Sequence, residues 1–247
     1  MAFWSHDFHY CYDGLYGNSN VLTEVFMLVE LQNYTPLNTA THAMGQCYGK
    51  ELKEDALVRA VQSGHLSLLE HTMVSFDIEM SQKCLAQITR HRHLSFTVKS
   101  TRGANFGDAT WFDSTEHPEI TEDMGRLMNK LIENQILEYR RLVDAGVPYQ
   151  VASYVLPLAT NVTMTVSGSL RTWMEYLPKR LCKRASTEHQ QVARLIFERL
   201  NYLYPSIVNL EMLGMCNGCK EVSCDFTTHK KKPKTPVVAE LRKTQVK

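Results

Sequence analysis

The sequence predicts a mixed α/β (α+β) fold, and three observations predict it. Runs rich in β-branched or alternating residues at 21–31, 73–79 and 160–167 have the composition of strands. Residues 53–62 and 120–143 repeat apolar side chains at helical spacing. The 247-residue chain is 44% hydrophobic and 21% charged, enough apolar material for a core in one large domain or two small ones.

Taken in order, residues 1–20 are rich in Tyr, Gly, Asn and Asp and read as an irregular lead-in. Residues 21–31 are expected to form a buried strand. Pro36 suits the first turn of a helix reaching about Cys47, because its missing N–H costs nothing there. A second helix over 53–62 stops at Ser63-Gly64. Residues 73–79 alternate as a half-buried strand. Ser81 then caps a helix over 82–91 that places Cys84, Gln87, Arg90 and His91 near one face. Residues 96–102 are expected to leave regular structure, and 103–119 read as a long loop. The clearest helix spans 120–143, with Met124, Leu127, Met128, Leu131, Ile132, Ile136, Tyr139 and Val143 on its apolar side. A short helix over 149–154, a strand over 160–167, a helix over 170–177 and a last helix from Ser186 or Thr187 to about Tyr204 complete the main domain. That domain is placed at residues 1–210, followed by a Cys/His-containing basic tail at 211–247.

Composition narrows the function. A formal net charge of +1 argues against general nucleic-acid binding and confines any basic site to a local patch. No apolar run approaches a membrane span, and residues 1–7 lack the charged and apolar regions of a secretory signal. Seven cysteines fit a reducing, cytoplasmic setting with free thiols or a metal better than disulfides. Cys216, Cys219, Cys224 and His229 have the C-x2-C-x4-C-x4-H spacing of a small zinc knuckle, the alternative being unrelated free thiols. The lysines from 230 onward read as a solvated tail, with no nucleic-acid partner expected.

The chemistry concentrates between Arg90 and Arg102. Arg90, Arg92, Lys99 and Arg102, the imidazoles of His91 and His93, and the hydroxyls of Ser95, Thr97, Ser100 and Thr101 crowd this stretch. Like charges this close repel unless an anion sits among them, and Arg with Ser hydroxyls and backbone N–H groups is a phosphate-binding set. The plain alternative is a solvated basic turn. Just upstream, His65, Ser67, Glu70 and His71 gather before the 73–79 strand, where ordinary turn chemistry also accounts for them.

Arg90-His91-Arg92 followed after seven residues by Ser100 resembles the RHR-x7-S signature of the flavin-dependent thymidylate synthases. His65-x-Ser67-x-x-Glu70-His71, Gln87, Ala145-Gly146, Leu156-Pro157, Gly168 with Arg171, Arg180 and Ala185 to Glu188 resemble further segments of that family, in order, over roughly residues 20–205. The resemblance implies a central, mostly antiparallel sheet flanked by helices, assembled as a homotetramer with active sites between subunits. It implies FAD as bound cofactor, methylene-tetrahydrofolate as carbon donor, NADPH as reductant, and conversion of dUMP to dTMP. It assigns Ser67, His71, Arg90, His91, Arg92, Ser169 and Arg171 to the cofactor, and Gln87, Ser100, Thr101, Arg102 and Arg180 to the substrate, with Ser100 and Arg180 catalytic. Donors at 90–92 suit the negative N1–C2=O region of a reduced flavin, and Arg180 suits a pyrimidine carbonyl that gains charge.

The chain departs from the family pattern at Gln82, Thr97, Val98, Lys99, Gly103, Ser153 and Ser169. Either Lys99 or a neighbour replaces the lost nucleotide contacts, or the pocket takes another pyrimidine nucleotide such as dCMP or forms a hydroxymethyl product. A catalytically lapsed, nucleic-acid-binding homologue is a third outcome.

Overall fold

A computed structural model describes residues 29–217, 219–221 and 224. Four antiparallel strands form one sheet in the order β1-β2-β4-β3: β1 Val29–Tyr34, β2 Met73–Ser81, β3 Ser95–Val98 and β4 Asn161–Ser169. The helices are α1 Asn38–Tyr48, α2 Glu54–Gln62, α3 Gln82–Ile88, α4 Glu122–Asp144, α5 Tyr149–Ala152, α6 Leu170–Arg180 and α7 Thr187–Leu203.

The period-2 pattern of the central strands makes the sheet two-faced. Val74, Phe76, Ile78 and Met80 of β2 and Val162, Met164 and Val166 of β4 are buried, with Phe76 paired to Val166 and Ile78 to Met164. Helices α1, α2, α3, α6 and α7 cover this face. Phe76 meets Trp173 of α6 edge-on at 5.3 Å, and the Trp173 indole N–H donates to the Val74 carbonyl at 3.2 Å. Burying each such aromatic contributes about 2–3 kcal/mol. The opposite face is polar. Ser75 and Ser167 share a hydroxyl hydrogen bond at 2.7 Å, and Thr165 donates to Asp77 at 2.6 Å.

Several expectations shift. The first strand is Val29–Tyr34, and residues 21–28 lie outside the described ones. The helix expected over 82–91 ends at Ile88, and a turn carries Arg90 to Leu94, held by His91 N–H to Ile88 O at 2.9 Å and Leu94 N–H to His91 O at 3.0 Å. The stretch expected to leave regular structure from residue 96 instead begins as β3. Phe96 and Val98 turn inward while Ser95 and Thr97 turn outward, a short alternation hidden under the hydroxyl and basic composition. Ser81 is the cap of α3, accepting from Cys84 N–H at 3.0 Å. Ser186 stands at the start of α7 without capping it. On α4, Ile132, Ile136 and Tyr139 are buried, but Met124, Leu127, Met128 and Leu131 of the same apolar side are exposed.

A smaller cluster of Phe106, Tyr139, Ala152 and Val162, with Val98 and Leu156 packed against it, anchors the segment that follows β3. The Tyr139 hydroxyl accepts the Phe106 N–H at 3.2 Å, and Arg140 donates to the Gly107 carbonyl. Among the described residues no helix is long and apolar enough to cross a membrane.

Candidate active site

Gln87, His91 and Arg180 come together where α3 and the following turn pack against α6 and α7. Arg180, the last residue of α6, donates from Nε to His91 Nε2 at 2.8 Å and from Nη2 to the Gln87 carbonyl at 3.3 Å. Arg has no acceptor, so His91 Nε2 is unprotonated and its Nδ1 carries the hydrogen. Burial, then the charges of Arg180 and Lys179, lower the His91 pKa to about 4, so the ring is neutral at pH 7. Tyr176 supports it edge-on at 4.8 Å.

A buried polar network stands behind this contact. The Ser186 hydroxyl donates to Gln87 Oε1 at 2.7 Å, and His189 Nδ1 lies 3.3 Å from the same oxygen. Gln87 Oε1 can only accept, so His189 Nδ1 donates and its Nε2 accepts from the Tyr176 hydroxyl at 3.1 Å. Burial, then Arg180 and His91, lower the His189 pKa to about 3. Ser186 thus spends its hydroxyl on Gln87 rather than on a helix cap. Next to it, Glu188 accepts from the Ser81 N–H at 2.7 Å and the Ser81 hydroxyl at 2.6 Å. Burial raises the Glu188 pKa against these two bonds. The residue that sequence reading missed is His189. Its signal was available: it precedes Val192, Ala193, Ile196 and Phe197 on one helical stripe, all buried, so it enters the core with them.

Arg90 and Arg92 are exposed on the turn after α3. Ser100, Thr101 and Arg102 form a tight turn after β3, in which Ser100 Oγ accepts the Arg102 N–H at 3.2 Å and the Ser100 carbonyl accepts from Gly103 and Ala104. Arg90, Arg92 and Arg102 enter no ion pair among the described residues. Leu94 fixes the first of these turns. A Cβ on Gly168 would lie 2.4 Å from Leu94 Cδ2, so glycine lets the turn seat against β4.

The remaining expected cofactor residues form a second group at the other end of α6. Ser67 and His71 are exposed on a 3-10 turn spanning Leu66–His71, and Ser169 caps α6 by accepting from Thr172 N–H at 3.3 Å. Arg171 ties the group together, donating to Glu70 at 2.6 Å and Glu175 at 3.0 Å. Arg171 and Arg180 are nine residues apart, about 13.5 Å and two and a half turns along α6. They therefore point to opposite sides of the helix: Arg171 outward, Arg180 into the Gln87–His91 network.

Three of the positions that depart from the family pattern make local contacts. Val98 is half-buried and packs against both hydrophobic clusters, facing inward from β3. The Lys99 ammonium sits over the Phe106 ring, 4.5 Å from its centroid. Ser153 donates its hydroxyl to the Gln150 carbonyl at 3.0 Å. In the tail, Cys216, Cys219 and Cys224 belong to the described residues, whereas His229 lies outside them. Burial, followed by the neighbouring Cys182, Cys219 and Cys224 sulfurs, raises the Cys216 pKa.

Comparison with known proteins shows the family. Residues 30–206 match the family model Thy1, described as thymidylate synthase complementing protein. A flavin-dependent thymidylate synthase of Thermococcus onnurineus is 32% identical over 183 residues, covering 67% of this chain and 75% of the relative. The corresponding protein of Haloarcula marismortui is 27% identical over 175 residues, covering 60% and 71%. A probable flavin-dependent thymidylate synthase of Mycobacterium phage L5 is 30% identical over 173 residues, covering 62% and 68%. The matched region spans the sheet, both turns of exposed arginines and the Gln87–His91–Arg180 network, and the chain belongs to the Thy1 family, the flavin-dependent thymidylate synthases, as an enzyme of that type.

Proposed function

We propose that the protein is a cytoplasmic homotetramer that reductively methylates dUMP to dTMP, with FAD as bound cofactor, methylene-tetrahydrofolate as carbon donor and NADPH as reductant. The observation that carries this reading is the pairing of neutral His91 with Arg180, together with exposed Arg90, Arg92 and Arg102, which enter no ion pair among the described residues. Such a site suits a polyanionic nucleotide and a flavin. Arg90, Arg92 and the 67–71 turn with Arg171 are the cofactor-holding groups. When bound, a reduced flavin supplies the reducing equivalents for the one-carbon transfer.

The chain's own residues orient the nucleotide. Gln87 has committed its side-chain Oε1 to Ser186 and His189, which leaves the donor end of its side-chain amide for a ligand carbonyl or phosphate. The turn at Ser100, Thr101 and Arg102 offers a guanidinium and backbone N–H groups to a phosphate. Arg180, aimed by His91, polarises the pyrimidine carbonyl as charge develops on the ring. The opposite aspects of Arg171 and Arg180 support a site built from more than one subunit, as do the exposed apolar residues of α4. Reconstitution with FAD tests the cofactor half. A flavin absorbance spectrum that is retained through desalting, and lost in R90A/R92A, is expected; a colourless protein after reconstitution contradicts it.

A second reading keeps the scaffold and changes the product to a 5-hydroxymethyl or dCMP-derived nucleotide. It is favoured by Lys99 and Ser153, whose functional groups are engaged with Phe106 and Gln150 and do not replace the missing nucleotide contacts. Mass spectrometry of the product decides it, since a plain methyl group on uracil excludes it.

A further inference from the structure

Gln87 is gripped from α6 and α7. Gln87 and His91 stand one turn apart on α3 and the turn after it, Tyr176 and Arg180 one turn apart on α6, and Ser186 and His189 one turn apart at the start of α7. Arg180 holds the Gln87 main-chain carbonyl, while the side-chain Oε1 meets Ser186 at 2.7 Å and His189 at 3.3 Å. Ser186 does not decide which end of the amide faces inward, because a hydroxyl both donates and accepts. His189 does, because its tautomer is fixed from behind. The Tyr176 hydroxyl is buried, and its one hydrogen-bond partner among the described residues is His189 Nε2 at 3.1 Å. A buried O–H left without an acceptor costs about 1–3 kcal/mol, so the phenol donates and Nε2 accepts. The hydrogen of the neutral ring is then on Nδ1, which faces Gln87 and donates to Oε1. Reversing the amide would set N–H against N–H. The nitrogen end of half-buried Gln87 is thereby turned away from the network.

We propose that His189 is a positioning residue for the nucleotide: with Tyr176 behind it, it locks Gln87 as a donor toward the substrate, so that this point of the site takes an oxygen acceptor, a carbonyl or a phosphate, rather than an amino group. This role rests on Gln87 being a nucleotide contact. The same contacts tie the Gln87 donor to Arg180. Tyr176 meets the His91 ring edge-on at 4.8 Å, and His91 accepts from Arg180 Nε at 2.8 Å. Tyr176 is itself set edge-on against Trp173 at 5.6 Å, and the Trp173 indole N–H is bonded to β2 at the Val74 carbonyl. One buried unit, anchored on the sheet, therefore sets the direction of both the Gln87 amide and the Arg180 guanidinium.

Proton–nitrogen correlation NMR of the unaltered protein is expected to show His189 as the Nδ1–H tautomer. Calorimetric titration of the FAD-reconstituted protein reads the role itself, with dUMP, dCMP or UMP, whichever the unaltered protein binds most tightly. H189L removes the donor and should weaken nucleotide binding about tenfold, the cost of one misdirected hydrogen bond. H189N has the size of leucine but accepts from Tyr176 with Oδ1 and donates to Gln87 with Nδ2, and should stay within about threefold of the unaltered protein. A packing defect alone would affect both variants equally. In a Q87A background H189L should cost no further affinity, because its effect travels through Gln87. The Nε2–H tautomer at His189, unchanged nucleotide affinity in H189L, an equal loss in H189N, or a loss that persists in Q87A would overturn the proposal. Unaltered protein that shows the Nδ1–H tautomer but binds none of the three nucleotides would overturn the nucleotide role of Gln87, and the proposal with it.

Discussion

His91 is held in one protonation state because Arg180 Nε donates to its Nε2 at 2.8 Å, and His189 is held the same way by burial. Their folded pKa values of about 4 and about 3 lie below the unfolded value of 6.5. The unfolded chain therefore binds more protons than the folded one between pH 6.5 and about 3. Stability is fully present above pH 6.5 and is lost as the pH falls through that window. His189 alone is expected to cost on the order of 2 kcal/mol between pH 7 and 5, and half-buried His91 adds less because solvent screens it. Urea midpoints measured across this range should fall on acidification, and H189Q should flatten the profile; a parallel profile for H189Q contradicts the assignment. Ser81 gives a second test. Its hydroxyl both caps α3 and donates to buried Glu188, so S81A should destabilise by about 2–4 kcal/mol, measured by urea denaturation. A loss under about 0.5 kcal/mol would show Glu188 to be satisfied otherwise. At this scale Gln87, His91 and Arg180 were legible in the sequence, since each matched a motif. His189 was not, because a single polar residue in an apolar helical stripe gives a weak signal until the stripe is known to be buried.

At the scale of elements, the turn from Arg90 to Leu94 and strand β3 are one unit, braced by Leu94 on Gly168 and by Phe96 opposite Val166. G168A should force Leu94 out of its seat. It is expected to destabilise by about 1–3 kcal/mol and to weaken FAD binding at least tenfold, read by fluorescence titration. Unchanged flavin affinity would show that the turn does not hold the cofactor. The central strands were readable from their alternation because each has one buried face, and α4 from its apolar stripe, of which only part is buried. Strand β3 was not, since Ser95, Thr97 and Lys99 dominate a segment of which only Phe96 and Val98 face the core. The outward half of the α4 stripe had no visible purpose in one chain. Periodicity reports that a face is apolar, but not whether the same chain covers it.

For the whole molecule, the nine-residue spacing of Arg171 and Arg180 puts them on opposite sides of α6. If sites form between subunits, R171A and R180A chains should each be inactive alone. Coexpressed in equal amounts, they should regain roughly a quarter of full activity, the chance that both contributors to a site are intact. No recovery in mixed oligomers would place both arginines in one subunit's site. The central claim is tested most directly by incubating the FAD-reconstituted protein with NADPH, methylene-tetrahydrofolate and dUMP, and identifying the nucleotide by mass spectrometry. The expected result is dTMP, formed only when all three are present and lost in R180A. Reduced flavin that dUMP and the folate leave unoxidised, with no dTMP formed, would contradict it.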